Sequence, residues 1–173
     1  MVKKGKCFEN YPCWIVVISN LISVLIYALG AYIIYQLGLF YLIIYLVYII
    51  LLELRVMANS CVNCYYYGKC CAFGKGRLSA VLFKKGKKNN TKEFARMKIS
   101  WKDIFPDFLV SFLPIITGIV LVIVDFSWLL LCLVVVLVIL SSFGNGFIRG
   151  SLACRFCKQR EIGCPAEKLF NKR

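Results

Sequence analysis

The sequence predicts an all-α membrane protein in which four transmembrane helices form two hairpins beside a small cysteine-rich module. Three observations support this fold class. Apolar residues make up 61% of the 173 residues, and the mean hydropathy of +0.76 exceeds what a water-soluble core of this size needs. The apolar residues are concentrated in two long blocks that are almost free of charge. The charged residues outside these blocks are mostly basic, and the net charge is +14.

The first apolar block is long enough for two spans. Residues 10–52 include no Asp, Glu, Lys or Arg, and a helix that crosses about 30 Å of hydrocarbon needs about 20 residues. We therefore expect helices over roughly 14–35 and 38–54. The Gln-Leu-Gly sequence at 36–38 supplies the turn, since glycine permits backbone conformations closed to other residues. Residues 1–54 thus form a short basic arm followed by the first hairpin.

The second apolar block, residues 106–144, repeats this arrangement. Residues 108–148 contain one charged residue, Asp125, which lies near the midpoint and marks the turn. The two spans are predicted over roughly 106–124 and 127–144. Pro106 fits the start of the third span, because the first turn of a helix tolerates proline. This block therefore forms the second hairpin.

The basic residues all lie outside both apolar blocks. Three are in the N-terminal arm, twelve lie in residues 53–107, and seven follow residue 148. Basic segments next to membrane spans are retained on the cytoplasmic side. We therefore expect a multi-pass protein of the cell membrane, with both termini and the middle loop, residues 55–105, in the cytoplasm. A cleaved signal peptide is the alternative, but the apolar run continues unbroken past the small residues at 28–30.

A similar cysteine pattern follows each hairpin, once in the middle loop and once in the C-terminal tail, residues 145–173. Each pattern is a C-x2-C motif followed by a third cysteine after five or six residues. The six cysteines are, in chain order, Cys61, Cys64, Cys70, Cys154, Cys157 and Cys164. Each copy consists of two spans and a cysteine segment, so both copies have the same orientation across the membrane. The pattern is therefore typical of a parallel internal repeat, which would bring both cysteine segments together.

These cysteines predict a metal centre. The C-x2-C spacing lets two thiolates face one ion, and two such motifs supply the four sulfur ligands of a tetrahedral zinc site. Four cysteines also suit an iron–sulfur cluster, and the sequence leaves the choice between the two open. The two C-x2-C pairs, Cys61 with Cys64 and Cys154 with Cys157, are the expected ligands, and the two third cysteines come next.

Two other interpretations of the cysteines stay open. They could form the dithiol of a membrane thiol–disulfide oxidoreductase, or they could have no specific role in a non-catalytic scaffold. Histidine is absent, which excludes Ser-His-Asp and Cys-His catalysis and His-ligated zinc hydrolases. The sequence contains no recognisable catalytic motif, so it favours a binding role over an enzyme.

The basic middle loop predicts contact with lipid. Lys84, Lys85, Lys87 and Lys88 form a cluster, and each charge near an anionic leaflet contributes about 1 kcal/mol. An amphipathic helix is expected over 91–105, either in the headgroup layer or packed against the cysteine module. Nucleic-acid binding is less favoured, because basic loops beside membrane spans commonly serve to fix topology.

Taken with the cysteines, these features predict an accessory or electron-transfer component of a membrane complex. No charged residue is expected near the bilayer centre, which disfavours a transporter or pump. Other membrane subunits, or a second copy of the chain, are the expected protein partners.

Overall fold

The computed structural model describes residues 7–84, residue 95 and residues 101–165. Four helices in this part of the chain are long and apolar enough to cross a membrane. The helices are, in chain order, α1 (Cys13–Tyr35), α2 (Leu39–Asn59), α3 (Lys75–Leu82), α4 (Trp101–Val124), α5 (Trp128–Ile139) and α6 (Lys158–Ile162). None of the described residues belongs to a β-strand.

The predicted turns between the long helices agree with the structure. The connection between α1 and α2 falls at 36–38, where Gly38 has a φ of 128° that favours glycine over other residues. The connection between α4 and α5 includes Asp125, as expected. Gln36 and Gly38 mark the first turn, and Asp125, the one charged residue between 108 and 148, marks the second.

Two predicted boundaries are wrong. α4 begins at Trp101, so Pro106 lies inside this helix and not at its start. A proline there has no N–H to donate to the carbonyl of Lys102, so one helical hydrogen bond is absent at this position. The fourth span does not end at 144. It continues from α5 through wide π-helical turns at Leu140–Gly144 and Ile148–Ala153, with a short α-helical turn between them.

Helix α1 is central to the bundle and contacts α2, α4 and α5. Two apolar clusters hold these contacts. One joins α1 to α5 and is built on Ile26, Ile33, Leu130, Val134 and Leu137. The other joins α1, α2 and α4 and is built on Ile34, Tyr45, Ile49, Leu52 and Val110. Gly118 permits the close approach of α4 to α5, because a Cβ atom there would collide with the side chain of Val134.

The outer surface of the bundle is apolar. Only 17–22% of the most apolar stretch of each long helix is buried inside the protein. Large side chains such as Ile123 and Val124 are 78% exposed. A continuous apolar surface of this extent suits lipid and not water. The four helices therefore have the character of a membrane protein.

Candidate metal centre

The two C-x2-C motifs adopt the same local structure. The first forms a 3-10 turn at Cys61–Asn63 just after α2, and the second forms one at Cys154–Phe156, where the extension of α5 ends. In each turn the N–H of the second cysteine donates to the carbonyl of the first, over 3.3 Å at Cys64 and 3.4 Å at Cys157. Both second cysteines then have extended backbones. The two C-x2-C motifs are thus similar in backbone conformation as well as in sequence.

A reciprocal pair of hydrogen bonds joins the two turns. The backbone N–H of Tyr65 donates to Oε1 of Gln159 at 2.8 Å, and the backbone N–H of Lys158 donates to the hydroxyl of Tyr66 at 3.0 Å. Tyr65 and Lys158 are each the first residue after a C-x2-C motif, and Tyr66 and Gln159 are each the second. The two hydrogen bonds are therefore equivalent. Each joins the backbone N–H of the first residue after one motif to the side chain of the second residue after the other motif.

The N-terminal arm closes this cysteine module on one side. The hydroxyl of Tyr11 donates to the carbonyl of Ala153, and that of Tyr66 donates to the carbonyl of Phe8 at 2.6 Å. The backbone N–H of Phe8 donates to the carbonyl of Phe156 at 3.0 Å. Tyr11 and Tyr66 are fully buried with Ile15 and two alanines in one apolar cluster. The arm therefore contacts both turns.

Burial raises the pKa of two thiols at the centre of the module, those of Cys64 and Cys157. It raises the pKa of Cys64 to about 12, and the nearby thiols of Cys157, Cys61 and Cys71 add to this effect. It likewise raises the pKa of Cys157 to about 11, with Cys154 and Cys164 adding. These thiols are therefore neutral near pH 7 when no cation faces them. A nucleophilic cysteine has a lowered pKa, so the environment differs from that of a reactive dithiol.

The structure brings both C-x2-C pairs into one module but does not gather their sulfurs around a common point. Within residues 7–84, 95 and 101–165, no group of three or more cysteine or carboxylate side chains is close enough to hold a metal ion. All ten cysteines lie in these ranges, and none forms a disulfide. No protein-family model, curated protein or solved structure matches the chain.

The sequence predicts Cys70 as the third cysteine of the first motif, and Cys71 lies next to it. The N–H of Cys70 donates to Oδ1 of Asn10 at 3.2 Å, and its carbonyl accepts from the N–H of Tyr11 at 3.0 Å. Cys70 thus anchors the N-terminal arm through its backbone. The thiols of Cys61 and Cys64 interact electrostatically with Cys71 instead. The buried position of Gln159, which is 2% exposed, could not be predicted because a lone glutamine gives no signal in the sequence.

An ion pair ties the segment after the first motif to the bundle. Nζ of Lys75, the first residue of α3, contacts Oε2 of Glu53 near the end of α2. The hydroxyl of Tyr27 donates to Oε1 of the same carboxylate at 2.6 Å. Glu53 thus links α1, α2 and α3, which fixes the path of the chain from Cys61 to α3.

The predicted lipid-contacting segment is described only in part. Lys84 is exposed. Lys85, Lys87 and Lys88 lie outside the described residues, as does most of the helix predicted over 91–105. The last five residues of that predicted helix, 101–105, belong to α4 and are therefore continuous with the third span.

Proposed function

We propose that this protein is a multi-pass membrane protein whose paired cysteine turns bind a metal, as zinc or as an iron–sulfur cluster. In this role it serves as an accessory or electron-transfer component of a membrane complex. The reciprocal hydrogen bonds between the turns are the main support, because they align two C-x2-C motifs that lie far apart in the sequence. Thiolates favour zinc and iron–sulfur clusters over hard cations.

The proposed inner ligands are Cys61, Cys64, Cys154 and Cys157. The chemistry of this donor set fits either group, since both take four cysteine thiolates. The turns must close on each other for the sulfurs to meet. The bound metal would supply the positive charge that holds these thiols deprotonated. The hydrogen bonds of Gln159 would hold the turns in register during this closure.

The repeat and the sidedness belong to the same proposal. We take residues 1–84 and the segment after 101 as two copies of a hairpin followed by a cysteine turn. The matched 3-10 turns support this repeat. The positive-inside rule places both turns, both termini and the basic loop on the cytoplasmic face of the cell membrane. The exposed Lys84 and the lysines after it then face anionic lipid.

Metal analysis of the full chain tests the proposal. The protein is purified anaerobically in detergent, and its zinc and iron contents are measured beside its visible absorption spectrum. We expect colourless protein with zinc, or a brown chromophore with iron. Cys64→Ser and Cys157→Ser should lose the metal, while Cys132→Ser, whose thiol is exposed on α5, should keep it. Wild-type protein with neither metal would refute the proposed function.

Sidedness is tested separately in intact cells. We expect a membrane-impermeant maleimide to leave every cysteine of the two turns unmodified until the membrane is permeabilised. Labelling of Cys157 from outside would reverse the proposed orientation. Because the metal measurement uses purified protein, its result does not depend on this one.

A further inference from the structure

A cavity of about 300 Å³ lies between the two hairpin turns, at the end of the bundle opposite the cysteine module. Its lining comprises three leucines and four polar side chains, those of Tyr32, Gln36, Asp125 and Ser127. We propose that this cavity binds a positively charged amine, which is the ammonium group of a lipid headgroup or of a soluble molecule. The proposal is independent of the metal function.

Asp125 gives the cavity a negative charge that no basic residue balances. In the described part of the chain Asp125 forms no ion pair. The segments that form this end of the bundle, within 10–52 and 108–148, contain no Lys or Arg. Two of the lining helices, α1 and α4, end here with partial negative charge, and only α5 begins here. The cavity therefore favours a cation over an anion.

The other three polar side chains offer hydrogen-bond acceptors. The side chains of Tyr32, Gln36 and Ser127 make no hydrogen bond to any of the described residues, and Ser127 does not cap α5 although it directly precedes this helix. An ammonium group has three N–H donors and no acceptor. The carboxylate of Asp125 and these three oxygens together can therefore accept all of its hydrogen bonds.

The leucines favour an organic cation over a bare metal ion. Leu121, Leu129 and Leu130 form the apolar part of the lining, on which the carbon atoms of an amine can pack. Calcium and magnesium ions take six or more oxygen ligands. The cavity contains only one carboxylate, and residues 7–84, 95 and 101–165 include no group of three carboxylate or cysteine side chains that could hold a metal ion.

Two probes of similar size that differ in charge test the proposal. The full-length protein in an uncharged maltoside detergent is titrated near neutral pH with butylamine and with butanol by isothermal titration calorimetry. We expect butylamine to bind at least about tenfold more tightly, the effect of a hydrogen bond to a charged group. Asp125→Asn should lower its affinity to that of butanol. Asp103→Asn, which removes the same charge near the other end of α4, should bind butylamine like wild type.

Lipid competition identifies the source of the ammonium group. Displacement of butylamine by phosphatidylethanolamine, but not by phosphatidylglycerol with the same acyl chains, would assign the cavity to a lipid headgroup. Displacement by neither lipid would assign it to a soluble amine, and equal displacement by both would overturn the proposal. Equal affinities for butylamine and butanol, or unchanged butylamine binding in Asp125→Asn, would also overturn it. Binding of Ca²⁺ instead of butylamine would assign the cavity to a metal ion and refute the amine.

Discussion

A proline inside α4 leaves one backbone carbonyl without its helical partner, and a tyrosine on α2 supplies the replacement. Pro114 has no N–H, so the carbonyl four residues earlier, that of Val110, loses its hydrogen bond. The hydroxyl of Tyr45 donates to this carbonyl at 2.8 Å. All three residues are buried. In a bilayer no water can take over this role.

Replacing Tyr45 with Phe removes this donor and little else. Hydrogen bonds between membrane helices contribute about 0.6 kcal/mol on average and about 1.7 kcal/mol at most. We expect Tyr45→Phe to lower the free energy of unfolding by about 1.5 kcal/mol, near the upper limit, because the Val110 carbonyl is buried and Pro114 has no N–H to offer it. This corresponds to about a tenfold change in the unfolding equilibrium constant.

A double-mutant cycle tests the reason as well as the magnitude. In a Pro114→Ala background the alanine N–H can bond to the Val110 carbonyl, so Tyr45→Phe should then lower the free energy of unfolding by about 0.3 kcal/mol or less. The assay is equilibrium unfolding in mixed detergent micelles, with Tyr41→Phe as a control because Tyr41 is 53% exposed on the same helix. Equal costs of Tyr45→Phe in both backgrounds would refute the reasoning.

Three further predictions concern the cysteine module. Gln159→Leu removes the acceptor of the Tyr65 N–H, so it should lower the free energy of unfolding by about 1–3 kcal/mol and speed alkylation of the buried thiols. Gly76→Ala should disrupt the module, as measured by protease sensitivity, while Gly146→Ala, where a Cβ meets nothing within 4 Å, should leave it intact. The third concerns pH. Folding raises the pKa of Cys64 from its ordinary value of about 9 to about 12, so the thiol of the unfolded chain releases its proton first. The metal-free module should therefore lose stability as pH rises between about 9 and 12, and Cys64→Ala should reduce this slope in a thermal unfolding series; an unchanged slope would contradict it.

The four helices could be predicted from the sequence because a helix that crosses lipid needs about 20 consecutive, predominantly apolar residues. Uncharged stretches long enough to cross a membrane are visible directly, and Asp125 and Gly38 located their turns. The end of the fourth helix was missed for a physical reason. The glycines at 146 and 150 resemble a loop in sequence, but a helix tolerates them where its apolar neighbours keep it in register, here through wide turns.

The cysteine module was predictable in composition but not in detail. The C-x2-C spacing located both turns, since it is a local property of the chain. The contribution of Gln159 depends on a hydrogen bond to a residue 94 positions away, which no local pattern encodes. The third cysteine of the first motif stays a prediction, because Cys70 and Cys71 are adjacent in the sequence.

The position of the two turns relative to their helices bears on which chemistry they perform. Cysteines that act as nucleophiles in thiol exchange commonly lie at helix N-termini, where the dipole lowers their pKa. Here both C-x2-C turns follow helix C-terminal ends, those of α2 and of the extension of α5, and only Cys157 also precedes a helix, the short α6. Unpaired carbonyls give such ends a partial negative charge, which disfavours a bare thiolate and favours a cation. If the proposed metal binds between the turns, the carbonyls at these helix ends and the cysteine sulfurs would both attract its positive charge.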